Sequence, residues 1–329
     1  MCQVNTVSGP VDCTALGLTL CHEHIIVTNP ELEENYPPAA WDERAVIALA
    51  RDDLNAAHAS GVRTLVDLTV MGLGRSIEKV RRIASGLPIN IVAATGYYAK
   101  VGLPSYFQMR RAGGMLTDTD PLPEMFIGEI EEGIAGTGIR AGVIKVLTDA
   151  EGETPDVRRV LEAAAAAQLK TGVPIFTHTH APSRTGEVQQ RRLSELGVDL
   201  GRVLIGHCDG AKDLGYLKSL MDAGSMIGID QFGLLTGVTD EQRIDKVLAL
   251  CEAGYGDRIV LSHDANSFTV NIDNKTKAER YPRWRQTAMT EWVVPTLLSR
   301  GLAQAAIDQM LVAGPARLLA RHGAAGQEA

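Results

Sequence analysis

The sequence lacks a long apolar run and has no excess of basic residues. No apolar stretch in the 329 residues reaches the roughly 18 that a membrane span requires. Lys and Arg number 32 against 40 Asp and Glu, and the net charge is -8, whereas a nucleic-acid-binding protein needs a clustered basic surface. The start, MCQVNTVSGPVDC, has neither the basic nor the apolar region of a signal peptide. We therefore expect a cytoplasmic protein that binds neither nucleic acid nor membrane.

Cysteine is also scarce. The five cysteines are odd in number and form no CxxC pair, which predicts free thiols in a reducing compartment. Cys21 and Cys208 each stand next to a histidine, but adjacent side chains of a strand point to opposite faces. We expect both to be small buried residues between the sheet and its helices and not metal ligands.

Short apolar runs, separated by segments with helix caps, repeat along the chain. Eight runs predict strands at 17–22, 62–69, 89–96, 141–148, 173–179, 202–207, 225–230 and 258–264. Strands of this kind that alternate with helices indicate a parallel sheet, and eight such units predict a single α/β domain over 1–329, a closed (β/α)8 TIM barrel. We expect an N-terminal strand or hairpin over about 1–15 and C-terminal helices from about 284.

Helix caps and two long connections complete this outline. N-caps with closing glycines are predicted at Ser76 and Gly86, Thr154 and Gly172, Thr185 and Gly197, and Thr239 and Gly254. The connections at about 99–127 and 265–282 exceed ordinary loop lengths, which predicts that they contact substrate. The second alternates Phe268, Val270 and Ile272 with polar residues.

Histidines concentrate where the predicted strands end. Six of the eight do so: His22, His24, His178, His180, His207 and His263. Only His58 and His322 stand outside the pattern. Two such histidines could be hydrogen-bonded core residues, but their recurrence after strand upon strand is typical of a metal site at the C-terminal face of a barrel.

The first strand carries the HxH pair. Because residues i and i+2 of a strand face the same side, His22 and His24 could hold one ion from inside the barrel. Glu23, between them, is expected to face the helices.

Lys145 lies in the apolar run AGVIKVL, where a buried ammonium would carry a large desolvation penalty. Three interpretations remain open from the residues. Lys145 could form a Schiff base, it could extend to solvent without a role, or it could be carbamylated by carbon dioxide and bridge two metal ions. The neighbouring histidines favour carbamylation.

Asp264 follows the eighth strand. A carboxylate among histidines at a barrel mouth could ligate a metal and accept a proton from water, although an ordinary helix N-cap would also explain it. His263 should point the other way and either support the metal ligands from outside or be structural.

Five motifs in order, CHEH, VIKV, FTHTHAPSRTGEVQQ, IGHCD and SHD, resemble the phosphotriesterase family of the amidohydrolase superfamily, and most of all its phosphotriesterase-like lactonase branch. The resemblance implies that His22, His24 and Asp264 hold the more buried metal. It implies that His178 and His207 hold the more exposed one, and that carbamylated Lys145 (N6-carboxylysine) bridges both. Spacing alone leaves His180 as an alternative to His178, and it is the match of RTGEVQQ that selects His178.

The resemblance also suggests residues that contact substrate. Tyr98 matches a tyrosine that lines the lactonase site, whereas Tyr97 should face outward. Two features depart from the lactonase pattern: Gln231 stands where relatives commonly have an arginine, and the loop after strand eight lacks their Cys-rich, Trp-bearing stretch. We expect Gln231 and Phe268 to contact substrate, with Phe268, Val270 and Ile272 forming an apolar wall.

Together these features predict a metal-dependent hydrolase acting on ester bonds. Two divalent ions, zinc or else cobalt, manganese or iron, would activate water, Asp264 would take the proton and Tyr98 would position the substrate. The expected substrates are N-acyl-homoserine lactones or other γ- and δ-lactones, with promiscuous phosphotriester hydrolysis. The alternatives are a dedicated organophosphate triester or carboxylic ester hydrolase, a Schiff-base lyase using Lys145, and a metal-binding barrel without activity. The resemblance further implies a homodimer.

Overall fold

The N-terminal hairpin has the expected position and a covalent link that we did not expect. The computed structural model describes residues 2–39, 41–111 and 113–321, so His322 lies outside the described residues. Strands β1 (Gln3–Thr6) and β2 (Gly9–Asp12) pair antiparallel. Cys2 and Cys13 flank the pair formed by Gln3 and Asp12 and are joined by a disulfide, with Cα atoms 5.6 Å apart. The prediction of five free thiols is therefore wrong for these two, because the hairpin register brings distant cysteines face to face.

The described residues form one nine-stranded sheet in which all pairs are parallel. The strands are β3 (Thr19–Val27), β4 (Thr64–Asp67), β5 (Asn90–Gly96), β6 (Val143–Thr148), β7 (Ile175–Thr179), β8 (Val203–Ile205), β9 (Met226–Ile229), β10 (Ile259–Leu261) and β11 (Asn266–Thr269). From β3 to β10 they neighbour one another in sequence order, and β11 pairs with β3. The two ends of this order, β10 and β11, are consecutive in the chain, so the sheet closes on itself and confirms the predicted (β/α)8 barrel.

Helices separate the successive strands from β3 to β10, and further helices follow β11. They are α1 (Pro30–Asn35), α2 (Glu43–Ala59), α3 (Ile77–Ala84), α4 (Ser105–Gln108), α5 (Pro121–Glu131), α6 (Pro155–Thr171), α7 (Thr185–Glu195), α8 (Leu214–Asp222), α9 (Asp240–Glu252), α10 (Asn274–Arg280), α11 (Val294–Ser299), α12 (Gln304–Asp308) and α13 (Gly314–Leu319). Two π-helical turns, Met289–Val293 and Gln309–Ala313, precede α11 and α13. Within the described ranges, none of the helices is both long enough and apolar enough to span a membrane.

Most predicted caps are confirmed. The N-caps of α3, α6 and α9 are Ser76, Thr154 and Thr239. Gly172 ends α6 in the left-handed conformation, with φ of 70°. Thr185 is instead the first residue of α7, after Arg184 at the N-cap, because its hydroxyl donates to the backbone oxygen of Thr148 (2.8 Å).

The eighth barrel strand is interrupted. We expected a continuous strand over 258–264, but the chain leaves the sheet after β10 and rejoins it as β11. Between them, the amide of Asp264 donates to the backbone oxygen of His22 (2.9 Å), and the amide of His24 donates to Ala265 (2.7 Å). These bonds to β3 close the barrel. The expected loop over 265–282 therefore begins with a strand and continues into α10.

Two apolar clusters show which way the strand residues face. Leu65 belongs to the larger cluster between sheet and helices, whereas the next residue, Val66, belongs to a smaller cluster that several strands and the N-terminal hairpin fill from inside the barrel. Cys208 packs in the outer cluster, as expected. Cys21 packs in the inner one, so its expected placement is wrong. The register of β3 against β4 shifts between Leu20 and Glu23, which lets consecutive residues of β3 face inward.

Candidate metal centre

A cavity of about 200 Å³ lies at the carboxyl ends of the barrel strands. Its polar wall consists of His22, His24, Tyr98, Lys145, His178, His207, Asp264, Asn266, Thr269 and Asn271, and its apolar wall of Val27, Leu73, Ile272 and Trp284. All six residues predicted to hold metal therefore meet in one place, although they come from five regions of the chain. Phe268 and Gln231 are absent from this lining.

The two histidines of the HxH motif in β3 are oriented by hydrogen bonds at Nδ1, which leave Nε2 of each ring for a metal ion. The Nδ1–H of His22 donates to Asp230 Oδ2 (2.6 Å). That of His24 donates to the hydroxyl of Thr69 (2.9 Å), which donates in turn to Asp67 (2.6 Å). Both Nε2 atoms are thereby available, and His24 Nε2 lies 3.3 Å from Asp264 Oδ1. Ligand atoms of His22, His24 and Asp264 all lie within 4.8 Å of one another, close enough to share one ion.

Asp230, which no sequence motif had indicated, is the central anchor of the site. Its side chain is fully buried and accepts from Nδ1 of His22 (2.6 Å) and Nδ1 of His207 (2.9 Å). Burial alone would raise the pKa of Asp230, but the two imidazoles hold it well below its usual range. A carboxylate that fixes the tautomer and direction of metal-binding histidines is a common outer support of metal sites. Its position at the end of the strand run SMIGID is the signal that could have indicated it.

Lys145 is 1% exposed, and its Nζ lies 2.6 Å from Nε2 of His22. Burial lowers the pKa of Lys145 to about 8, against the opposing charges of Asp264 and Asp230. A larger fraction of Lys145 is therefore uncharged near pH 7, and the uncharged amine is the form that adds to carbon dioxide. Burial and the Lys145 ammonium also lower the pKa of His22 to about 3, so its imidazole is neutral, as metal ligation requires.

His178 and His180 diverge at the end of β7. The ring of His178 meets that of His207 edge to face at 4.4 Å, and Tyr98 at 5.6 Å. Burial and the nearby His207 lower the pKa of His178 to about 4. His180 follows the strand end, and its Nδ1 pairs with the hydroxyl of Ser183 (2.7 Å). The structure thus brings His178 to the cavity and not His180.

His207 and Asp264 share an uncommon backbone conformation. Both lie just beyond strand ends with positive φ, 58° and 54°, and they are two of only four such non-glycine residues in the described part of the chain. Strain of this kind concentrates at functional sites. Burial would raise the pKa of Asp264, but the imidazoles of His207, His24 and His22 hold it below its usual range. Asp264 is therefore ionised.

Glu23 and His263 form a buried clamp away from the cavity. Glu23 Oε1 accepts from the amide of His263 (2.9 Å) and from its Nδ1 (2.8 Å). Its other oxygen accepts from the amide of Ala265 (2.9 Å). These bonds tie β3 to the segment that carries Asp264, which agrees with the expected structural role of His263.

The three residues expected to contact substrate are placed differently. Tyr98 lines the cavity, and burial and the charges of Asp264 and Asp149 raise the pKa of its hydroxyl, which stays protonated. Gln231 donates its amide to Asp264 Oδ2 (3.3 Å).

Phe268 is 4% exposed and packs on Trp41 with ring centroids 5.7 Å apart, so it does not form the expected apolar wall. The reason is the strand β11, in which the next residue, Thr269, faces the cavity. Ile272 does line it. Tyr97 turns away from the cavity and packs against Phe107.

The model of the phosphotriesterase family matches residues 2–319. The chain belongs to the phosphotriesterase family. It is similar to the solved structure of the phosphotriesterase from Mycobacterium tuberculosis, with 43% identity, a TM-score of 0.95 and coverage of 98% of this chain and 99% of the other. It is 37% identical to the aryldialkylphosphatase of Saccharolobus solfataricus, over 93% and 95% of the two chains.

The chain is also similar to a solved structure from the molecular engineering of organophosphate hydrolysis activity from a weak promiscuous lactonase template. This structure is 34% identical, with a TM-score of 0.87 and coverage of 96% of this chain and 99% of the other. Together with the histidine and aspartate groups that could hold metal, membership identifies the chain as a metal-dependent hydrolase.

Proposed function

We propose that the cavity binds two divalent metal ions. His22, His24 and Asp264 would hold one, His178 and His207 the other, and the carbamate of Lys145 would join them. Imidazole nitrogens and carboxylate oxygens suit zinc above all, and cobalt, manganese or iron as well. The support is the direction of the rings: Asp230 and Thr69 occupy the Nδ1 atoms of three histidines, so that their Nε2 atoms face the cavity.

The proposed carbamate resolves the charge of Lys145. The ammonium would first lose one proton, and the neutral amine would then attack carbon dioxide and release a second proton, which leaves a carbamate with two oxygens. An anion suits a cavity that receives two dications better than a buried cation does. The adjacent Gly96 has φ of 130°, and a Cβ there would lie 1.9 Å from the backbone oxygen of Lys145. Glycine thus permits the close approach of β5 that fixes the lysine backbone.

The proposed reaction is hydrolysis of a lactone. When bound, the two ions would polarise the substrate oxygen and favour ionisation of water near neutral pH. Asp264, ionised and held by Gln231, accepts the proton from the attacking water and returns it to the alkoxide that leaves the opened ring. Tyr98 keeps its hydroxyl proton and directs the ester oxygen into the cavity.

Lactones with an apolar tail, such as N-acyl-homoserine lactones or other γ- and δ-lactones, fit this site best. The observation that carries this choice is the combination of ionised Asp264 with an apolar wall of Val27, Leu73, Ile272 and Trp284 in a cavity of about 200 Å³. The lactonase template among the similar structures supports it. Phosphotriesters would be slower substrates, because a site matched to a tetrahedral carbon centre is not matched to five-coordinate phosphorus.

The second candidate is a dedicated organophosphate triester or carboxylic ester hydrolase, which the similarity to an aryldialkylphosphatase favours. To separate the two, kcat/KM is measured for short- and long-tailed lactones, a diethyl aryl phosphotriester and an aryl ester. We expect efficiency toward lactones to rise by up to ~0.8 kcal/mol per methylene buried. A clear preference for the phosphotriester or aryl ester would replace the lactonase proposal.

A variant pair sharpens this test. Ile272→Ala removes part of the apolar wall and should flatten the dependence on tail length. Leu235→Ala changes a leucine that is 60% exposed and outside the cavity lining, and it should leave the dependence unchanged. An unaltered dependence in Ile272→Ala would show that the tail lies elsewhere.

We further propose that residues 1–329 form a single domain, that the protein is a homodimer, and that it is located in the cytoplasm. The segment after β5 exposes several large apolar side chains, namely Val101, Tyr106, Met109, Met115 and Leu116, which a second subunit could cover. Light scattering of the purified protein gives the mass, and thiol counting in fresh cell extract shows whether the Cys2–Cys13 disulfide forms there.

A further inference from the structure

Asp149 lies immediately beyond β6, four residues after Lys145, and it takes no part in the proposed metal binding or hydrolysis. Its Oδ2 lies 2.5 Å from Nζ of Lys100 and 3.7 Å from Nε2 of His178. The side chain is 16% exposed, whereas that of Glu151, which contacts the same ammonium at 3.2 Å, is 60% exposed. Asp149 is thus a largely buried carboxylate between an ammonium and one of the histidines that line the cavity.

His178 differs from the other three histidines in the nitrogen that meets a side chain outside the proposed ligand set. The Nε2 atoms of His22, His24 and His207 lie 3.3–3.9 Å from Asp264, which is itself a proposed ligand. In His22 and His207 it is Nδ1 that pairs with Asp230, and in His24 it is Nδ1 that pairs with Thr69. In His178 it is Nε2 that faces Asp149. The two ring nitrogens point in divergent directions, so a carboxylate beside Nε2 leaves Nδ1 as the atom to bind a metal.

Lys100 connects Asp149 to a second residue of the cavity. Lys100 lies in the short 3-10 turn Ala99–Val101, two residues after Tyr98. The bond from its ammonium to Asp149 therefore joins the loop after β5 to the loop after β6. His178 itself is held from behind, where the side-chain amide of Gln189 donates to its backbone oxygen (3.0 Å). With the backbone fixed, the rotation of the ring depends on what its nitrogens meet.

We propose that Asp149, held in place by Lys100, is a positioning residue that orients His178 so that Nδ1, and not Nε2, binds the more exposed of the two metal ions. This inference rests on the proposed two-metal function. Outer carboxylates of this kind contribute about 10- to 100-fold to metal affinity. An exposed ion pair on the surface would contribute far less, and Glu151 provides that comparison on the same lysine.

The test is calorimetric titration of metal-free protein with Zn²⁺ in bicarbonate buffer, which reads metal binding without relying on activity. Wild-type protein should bind two ions per chain. Asp149→Ala should weaken one of the two sites by about 10- to 100-fold and leave the other unchanged. Asp149→Asn keeps a neutral acceptor and should fall between wild type and Asp149→Ala. Glu151→Ala, the matched control, should bind both ions as wild type does.

A double-mutant cycle with His178→Ala separates orientation of His178 from a general effect on the fold. If Asp149 acts through His178, adding Asp149→Ala to His178→Ala should cause no further loss of Zn²⁺ affinity. Equal binding in Asp149→Ala and wild type, or an additive loss in the double variant, would overturn this inference and leave the two-metal proposal standing. A wild-type protein that binds no Zn²⁺ would overturn the two-metal proposal itself.

Discussion

Asp264 combines two properties that a proton acceptor needs, since it is ionised and it lies at the cavity. Asp264→Asn keeps the size of the side chain and an oxygen for the metal, but it cannot accept a proton. We expect folded protein with turnover reduced by ~10² or more, measured as kcat on the preferred lactone. Asp245→Asn changes an exposed carboxylate paired with Arg300 and serves as the control. Turnover near that of wild type in Asp264→Asn would limit Asp264 to metal binding.

Lys145 offers a second test at the scale of one side chain. Lys145→Ala removes the proposed carbamate, so both metal content and hydrolysis should fall. A short carboxylic acid such as propionate should restore part of each by supplying two oxygens in the space left behind. Metal analysis and rate assays with and without propionate measure this recovery. Lys170→Ala, at an exposed lysine, should show neither the loss nor the recovery. Borohydride trapping of substrate on Lys145 would instead establish the lyase interpretation.

Among the elements, β8 depends on a glycine at its exit. A Cβ on Gly206 would lie 2.2 Å from the backbone oxygen of Thr177 and 3.0 Å from Cε1 of His22. Gly206→Ala should therefore displace β7 or His22, lower the free energy of unfolding by about 1–3 kcal/mol, and reduce metal content. Urea unfolding and metal analysis measure both effects.

The matched glycine for this comparison is Gly128 in α5, where an added Cβ meets no atom within 4 Å. Gly128→Ala should raise stability by about 0.5–1 kcal/mol, because glycine in a helix loses more entropy on folding than alanine does. If Gly206→Ala were as well tolerated as Gly128→Ala, the packing argument for β8 would be wrong.

The elements that depend on residues close together in the chain could be predicted from the sequence. Apolar runs give the strands, Thr154 and Gly172 give the bounds of α6, and histidines at strand ends give the place of the site. The interruption of the eighth strand was not predictable from periodicity, because Asp264 adopts a positive φ there. The segment is held by hydrogen bonds that Asp264 and Ala265 make with β3, more than 200 residues away in the chain.

Roles that depend on partners far away in the chain could also not be predicted from the sequence. Asp230 is 208 positions from His22 in the chain, and nothing local to SMIGID shows that its carboxylate meets two imidazoles. The prediction for Phe268 is wrong because alternation shows that the two faces of a strand differ without showing which face meets the cavity. The pairing of Cys2 with Cys13 similarly follows from the register of β1 and β2.

At the scale of the whole molecule, the closed barrel brings donors from five regions of the chain to one end. Strand exits alone would place histidines near one another, but the hydrogen bonds to Asp230 and Thr69 determine which ring atoms of His22, His207 and His24 face inward. The barrel interior below the site is filled by the smaller apolar cluster and the N-terminal hairpin, so the cavity is reached from the carboxyl ends of the strands.

The central claim is that this cavity holds two metal ions and that hydrolysis depends on them. Metal analysis of the purified protein, combined with lactone hydrolysis before and after treatment with a strong chelator, tests it most directly. We predict close to two divalent ions per chain, loss of hydrolysis on chelation, and recovery when Zn²⁺ or Co²⁺ is returned in bicarbonate buffer. Protein that contains no metal and hydrolyses lactones at an undiminished rate in the presence of chelator would contradict the account.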